Sequence, residues 1–241
     1  LAAAGVAAVS SVALAQAQAT NTLTLQFTGA GPVAFGSLKE GNGPPWFIPG
    51  RSVKGLIRSR MEFILRSVQP NFTCGLDGKT CGECPICELF GWSSSGDGAS
   101  EMGARGRIRV LPAQLGGIQK NRAHIAIDRF TGGVAMKSST DAVIHLPGSR
   151  HGQLYSTVGI EEPTLEMRFE IDGLGEKHST AFLSLLTLVC QDIDDGLVGI
   201  GGVVTRGYGT FMRDIPEQDP LPSVDEARKW VRDWGSRENS P

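Results

Sequence analysis

Four cysteines lie within fourteen residues of the chain and could together hold a metal ion. They are Cys74, Cys81, Cys84 and Cys87, in the spacing C-x6-C-x2-C-x2-C. Four thiolates can surround Zn²⁺ tetrahedrally at about 2.3 Å each, and a site closed by four protein ligands is structural, not catalytic. Two disulfides and an iron–sulfur cluster are the alternatives. The spacing favours zinc and predicts a zinc knuckle within residues 72–98.

Two further segments combine glycines with basic residues and could bind an anion. Residues 48–58 read I-P-G-R-S-V-K-G-L-I-R, a turn that runs into a helix. Backbone N–H groups at a helix start favour an anion, and Arg51, Lys54 and Arg58 fall on one side of that helix. Residues 199–209 contain five glycines around Arg206, and glycine lets a backbone approach a ligand closely. The alternatives are a capped helix with solvated basic side chains and a tight connection between helix and strand.

The charge of the chain is unevenly distributed. Its net charge is only −2, which by itself gives no indication of nucleic acid. Residues 51–68 nevertheless carry five basic residues against one acidic residue, and residues 103–137 carry seven against one. Residues 160–241 carry eight basic and sixteen acidic residues. A basic front half and an acidic back half are what an anionic ligand bound to one face would require.

The elements that must position these residues follow from hydrophobic periodicity. Hydrophobic residues make up 40% of the 241 residues, which excludes a disordered chain, and 32 glycines with 13 prolines argue against a helical bundle. The predicted elements are strand 23–27, helix 52–68, strand 107–111, hairpin 119–160, strand 165–171, helix 179–192, strand 208–212 and a helix opened by a capping box at 223–226. Without insertions, this order is the α+β, ferredoxin-like (RRM-like) βαββαβ arrangement.

Residues 1–20 are uncharged and rich in alanine, which resembles the apolar part of a secretory signal. An alanine-rich linker or helix, from a fused chain among other origins, is the alternative. Ser10, Ser11, Gln16 and Gln18 argue against a membrane span. An exported domain stabilised by zinc or disulfides is therefore one hypothesis for the whole protein. The cysteine cluster instead argues for a reducing, cytoplasmic location. The predicted organisation is an N-terminal segment 1–22, a domain 23–214 and a C-terminal helix and tail 215–241.

Three motifs resemble CRISPR-associated proteins of the RAMP superfamily. Residues 49–58, P-G-R-S-V-K-G-L-I-R, resemble the P-G-S-S-[LV]-K-G-x-x-R stretch of that family, with Arg51 in place of its usual small residue. Residues 201–209, G-G-V-V-T-R-G-Y-G, resemble its C-terminal glycine-rich loop. Residues 127–132, I-D-R-F-T-G, are similar to a segment of the backbone subunits of type III effector complexes. The three motifs occur in the order that the family has.

The resemblance implies a ferredoxin-like palm with a zinc-knuckle insertion and a β-hairpin thumb at residues 119–160. Such subunits stack with copies of themselves and other effector subunits along a CRISPR guide RNA, away from membranes, and engage target RNA in antiviral defence. The thumb displaces nucleotides of the guide–target duplex. The RNA-binding residues implied by the motifs are Arg51, Ser52, Lys54, Arg58, Arg129, Gly202, Arg206, Gly207 and Tyr208.

Catalysis is a separate question in this family. In members that cleave, an Asp in the loop between the first strand and the first helix promotes cutting of target RNA. The corresponding loop here, residues 29–50, has no Asp, and Glu40 is its one carboxylate. We therefore expect a scaffold that does not cut and regard Asp128 as a support of the thumb. The alternative is a metal-dependent endoribonuclease acting on target RNA or guide precursor, with Glu40 as catalytic residue and Mg²⁺ as cofactor.

Overall fold

The chain contains helices and strands, with a run of five consecutive strands in its middle. The computed structural model describes residues 22–35, 43–70, 73–74, 80–94, 102–125 and 154–237. The strands are β1 (Thr22–Gly29), β2 (Trp46–Ile48), β3 (Gly91–Ser94), β4 (Met102–Arg105), β5 (Ile108–Val110), β6 (Ala113–Ile125), β7 (Leu154–Ile171) and β8 (Phe211–Asp214). The helices are α1 (Gly50–Val68), α2 (Pro85–Phe90), α3 (Glu176–Asp194) and α4 (Val224–Arg237). None of the helices in these ranges is long and apolar enough to cross a lipid bilayer.

Six strands form one antiparallel sheet, in the order β2-β6-β7-β1-β8 with β5 also paired to β7. Strands β3 and β4 form a separate antiparallel hairpin. The mixed α+β class expected from the sequence is thereby confirmed. Strand β7 lies at the centre because it pairs with three other strands, and it buries Leu165, Met167, Phe169 and Ile171 on one face, as their alternation predicts.

The main core lies between this sheet and the helices that cover one of its faces. Helix α1 buries Val53, Ile57, Met61 and Leu65, which recur every four residues and so share one side. Helix α3 contributes Phe182, whose ring meets Phe169 of β7 edge-on at a centroid distance of 5.9 Å. Burying one such large apolar side chain contributes roughly 1.5–3 kcal/mol to folding. The apolar side of α1 therefore packs this helix, including its first turns, against the sheet.

Several predicted boundaries were wrong by a few residues. Helix α1 begins at Gly50, so Ser52 lies inside its first turn and does not cap it. Helix α3 begins at 176, and the last strand is β8, not 208–212, because the backbone at Tyr208 and Gly209 still belongs to the preceding turn. The predicted capping box is confirmed: the Ser223 and Glu226 backbone N–H groups donate to each other's side chain, at 2.9 and 3.3 Å.

Strands β6 and β7 extend beyond the sheet as a two-stranded hairpin. The pairing shifts register between Gly116 and Ile118, and Glu162 on the opposite strand has a φ of 48°. From there residues 118–125 pair with residues 154–161. This is the described part of the predicted thumb at 119–160. Residues 126–153 lie outside the described part.

One carboxylate joins the two strands at the root of this hairpin. Glu161 binds Lys120 at 2.6 Å and Arg122 at 2.5 Å across the strands. Hydrogen bonds from Lys120 first and Arg122 second hold the pKa of Glu161 below its ordinary value. The hairpin root is therefore fixed by an ionic cluster on its exposed side.

Candidate nucleic-acid interface and metal centre

The first turn of α1 and the glycine-rich loop meet across one open cleft. Pro49, Arg51, Ser52 and Val53 line one side of it, and residues 199–202 line the other. The cleft has a volume of about 420 Å³, and Phe35, Leu56 and Met167 form part of its apolar floor. Two of the three motifs singled out in the sequence therefore face the same space.

The glycine-rich loop is held in place by its own backbone. The Gly202 N–H donates to the Ala34 carbonyl at 2.6 Å, and the Gly209 N–H donates to the Pro32 carbonyl at 2.7 Å. Gly209 has a φ of 74°, and a Cβ there would come within 2.2 Å of the Ile200 carbonyl oxygen, so only glycine fits. The loop is thus tied to the segment that follows β1 and presents its backbone to the cleft.

Backbone strain accompanies this arrangement at one residue. Val203 is β-branched and yet has a φ of 61°. Left-handed backbone at such a residue costs on the order of 1–3 kcal/mol and persists only where the surroundings enforce it. Val203 lies next to Gly202 and precedes a short 3-10 turn, Val204–Arg206. The conformation of the loop that carries Arg206 is therefore fixed before any ligand binds.

Two of the predicted RNA-binding side chains line this cleft, and two more lie further along the same helix and loop. Arg51 and Ser52 are exposed on the first turn of α1, and Arg206 is exposed in the loop. Lys54 is half-buried one turn further along, where burial first and the charges of Arg58 and Arg105 second lower its pKa. This surface can offer cationic side chains, a hydroxyl and loop backbone to a phosphate chain.

Two other predicted residues have internal contacts. Arg58 donates to Glu62 and to the Gly91 carbonyl, each at 2.9 Å, which ties α1 to the β3–β4 hairpin. Tyr208 is only 3% exposed, with its hydroxyl 3.5 Å from His124 Nε2. Its burial leaves no ring face for stacking on a base, so in this structure Tyr208 anchors the loop to the long hairpin. Glu40, Asp128 and Arg129 lie outside the described residues.

The four cysteines of the predicted knuckle converge, with all their sulfur atoms within 4.8 Å of one another. Cys74 Sγ lies 3.6 Å from Cys84 Sγ and 3.4 Å from Cys87 Sγ. Tetrahedral Zn–S bonds of about 2.3 Å would place the sulfurs about 3.8 Å apart, so the spacing fits a four-thiolate metal site. All five cysteines are free, so the disulfide alternative is absent from this structure.

The electrostatics differ among the cysteines of the cluster: burial raises the pKa of Cys74 to about 12 and also raises that of Cys84, whereas Cys81 favours the thiolate. Backbone N–H groups of Glu83 and Cys84 donate to Cys81 Sγ at 3.4 and 3.2 Å. Burial alone would raise the pKa of Cys81, but these hydrogen bonds outweigh it and lower that pKa to about 7. A thiolate is the form of cysteine that binds metal. Because its four sulfur atoms converge, the cluster can hold an ion such as zinc.

The cluster is fastened to the main core at both ends. Cys87 lies on α2, whose Ile86 and Leu89 are completely buried. On the other side, Arg66 of α1 donates to Thr73 Oγ1 at 3.0 Å and to the Cys74 carbonyl at 3.1 Å. Sequence reasoning missed this role of Arg66, because its partners follow the helix in a loop without periodicity. A metal bound here would cross-link α2 to the segment after α1.

Replacing Gly55 with alanine is expected to stabilise the protein by about 1 kcal/mol. Gly55 lies inside α1, and a Cβ there would meet nothing within 4 Å, so the substitution gains helix propensity without a clash. Gly207 is the matched control: it also has open space, but its φ of 82° makes alanine unfavourable by about 1 kcal/mol. Thermal denaturation should show Tm rising for Gly55→Ala and falling for Gly207→Ala. If Tm rose in both variants or fell in both, the result would contradict the backbone conformations assigned to Gly55 and Gly207.

The comparison with protein families agrees with the motifs. The family model of the RAMP superfamily matches residues 22–212, which run from β1 into β8. No curated protein matches the chain. Among solved structures, the crystal structure of Thermofilum pendens Csc2 is similar at 15% identity, with a TM-score of 0.47 over 90% of this chain and 76% of that chain. Because the family model covers most of the chain, this protein belongs to the RAMP superfamily, the CRISPR-associated family that its sequence motifs resemble.

Proposed function

We propose that this protein is a guide-RNA-binding backbone subunit of a type III CRISPR effector complex, located in the cytoplasm. The observation that carries the proposal is the cleft in which the first turn of α1 faces the glycine-rich loop. These segments are far apart in the sequence, yet both match the family's motifs. Membership of the RAMP superfamily supports RNA binding in a multi-subunit complex.

In this proposal the cleft holds the sugar–phosphate backbone of the guide. Arg51, Ser52 and Arg206 contact phosphates, and backbone at Gly202 and Gly207 allows close approach of the strand. Such contacts position an RNA without reading its bases, so guides of every sequence can bind. Affinity should then fall steeply as salt rises, because each phosphate contact releases a counterion.

In this proposal the sheet, the cysteine cluster and the long hairpin support the cleft. The strand order β8-β1-β7-β5 supports a ferredoxin-like palm, with α1 and α3 as its two helices. Zinc held by the four cysteines stabilises the insertion and takes no part in chemistry. The hairpin β6–β7 is the root of a thumb that acts on the guide–target duplex. Neighbouring copies and other subunits extend the filament.

The test is to purify the protein from its native host at mild salt and to sequence the RNA that accompanies it. We expect repeat-derived guide RNA of uniform length, together with an absorbance ratio at 260 and 280 nm typical of a ribonucleoprotein. RNA of random sequence and length would contradict the guide-binding role. Protein that is free of RNA both alone and within its isolated complex would contradict RNA binding altogether.

A further inference from the structure

The hairpin β3–β4 is held directly by the cysteine cluster. Gly82, in the turn between Cys81 and Cys84, lies beneath the indole of Trp92, where a Cβ would come within 2.8 Å of the ring. The Thr80 hydroxyl donates to the Ser93 carbonyl at 2.9 Å. Both Trp92 and Ser93 belong to β3, so the ligand turn determines where this hairpin points.

The hairpin brings an arginine to the basic side of α1. Arg58 Nη1 donates to the Gly91 carbonyl at 2.9 Å, and Gly91 is the register partner of Arg105 on β4. Lys54 precedes Arg58 by one helical turn and is half-buried. Burial first, and the positive charges of Arg58 and Arg105 second, lower the pKa of Lys54. Three cationic side chains from two separate elements therefore share one small region.

Little negative charge balances these side chains among the residues that the structure describes. Glu62 binds Arg58, but it also binds Arg66, at 3.0 Å, and so serves two guanidinium groups. Within the described residues no ion pair is formed by Lys54 or Arg105. Crowded like charges destabilise a fold unless an anion is recruited to them. Arg105 is also exposed, so an anion can reach the cluster from solvent.

We propose that Arg105, supplied by the hairpin that the cysteine cluster positions, adds a second phosphate site beside the cleft, next to Lys54. The ligand is a phosphodiester of the bound RNA, so the inference rests on the proposed function and deepens it. Arg51 lies one turn before Lys54 on the same helix and connects this site to the cleft. The guanidinium fork of Arg105 suits a phosphate better than a single ammonium would.

The test compares Arg105→Gln with Arg109→Gln. Both residues are exposed arginines on strands, and each substitution removes one charge, but Arg109 lies on β5 and pairs with Glu170 at 2.9 Å. Binding of a labelled single-stranded RNA is measured by fluorescence anisotropy over a series of NaCl concentrations. Arg105→Gln should weaken binding several-fold and reduce the slope of log affinity against log salt by about one. Arg109→Gln should match the wild type, and equal slopes for both variants would overturn the proposal.

A second probe separates this inference from the proposed function. If the wild type binds no RNA, the proposed function fails, and the site is tested with inorganic tripolyphosphate against protein labelled with ¹⁵N-arginine. The Arg105 Nε resonance is assigned as the one missing from Arg105→Gln. A shift of that resonance on titration retains the phosphate site. An unchanged Arg105 resonance beside a folded, metal-loaded protein overturns it.

Discussion

Cys87→Ser is expected to abolish metal binding and to lower Tm by roughly 6–12 °C. Cys87 is 1% exposed, and its Sγ lies 3.4 Å from Cys74 Sγ, so it is the innermost ligand of the cluster. The free energy of binding a structural metal is part of the folding free energy. Losing about 3 kcal/mol of it in a domain of this size produces the stated fall in Tm. The effect should spread to the core through α2, because Ile86 and Leu89 adjoin Cys87 and are fully buried.

Elemental analysis of purified protein and a thermal melt measure both effects. The matched control is Cys190→Ala, since Cys190 is also buried but lies on α3, away from the four-cysteine set. That variant should retain one equivalent of zinc and lose less stability. Undiminished zinc in Cys87→Ser would contradict the ligand assignment. Iron with a visible absorption band in the wild type would replace zinc with the iron–sulfur alternative.

Reversing one charge in the lining of the cleft and one in the glycine-rich loop, by Arg51→Glu with Arg206→Glu, is expected to weaken guide-RNA binding about a hundredfold. Arg51 lies on the α1 side and Arg206 in the loop, and both are exposed. Each reversal replaces a phosphate contact by repulsion, which we expect to cost about tenfold in affinity. The loss should be the same for guides of unrelated sequence, because neither contact reads a base. Anisotropy titrations with two RNAs of equal length test both statements.

The control for this pair carries an identical change of net charge. Arg228 and Lys229 are exposed on α4, so Arg228→Glu with Lys229→Glu alters bulk charge without touching the cleft. The control pair should bind RNA within about threefold of the wild type, since charges remote from the strand are screened by salt. Equal losses in the two pairs would mean that the cleft has no special role. Arg58→Glu is a poorer test, because it would also break the contacts with Glu62 and Gly91.

Features that depend on neighbours in the sequence could be predicted from the sequence alone. The four cysteines lie close together along the chain, so short turns are enough to bring their sulfurs within bonding range of one ion. The stripe of α1 and the alternation of β7 repeat with the period of the backbone itself, and they identify buried faces without reference to any partner. The capping box at Ser223 and Glu226 spans three residues and is equally local. The family motifs, which are also short and local, were the basis for predicting RNA binding.

Only the tertiary structure decided which distant residues meet. The start of α1 faces residues 199–202 because hydrogen bonds from Gly202 and Gly209 hold the loop beside the segment after β1. Tyr208 and Arg58 have the residue types of RNA ligands, yet one is buried and the other is bonded to Glu62 and Gly91. No sequence motif identified Arg105 as a binding residue. Its position near Lys54 results from the pairing of β3 with β4. Periodicity describes one element at a time, whereas a binding surface depends on how separate elements pack together.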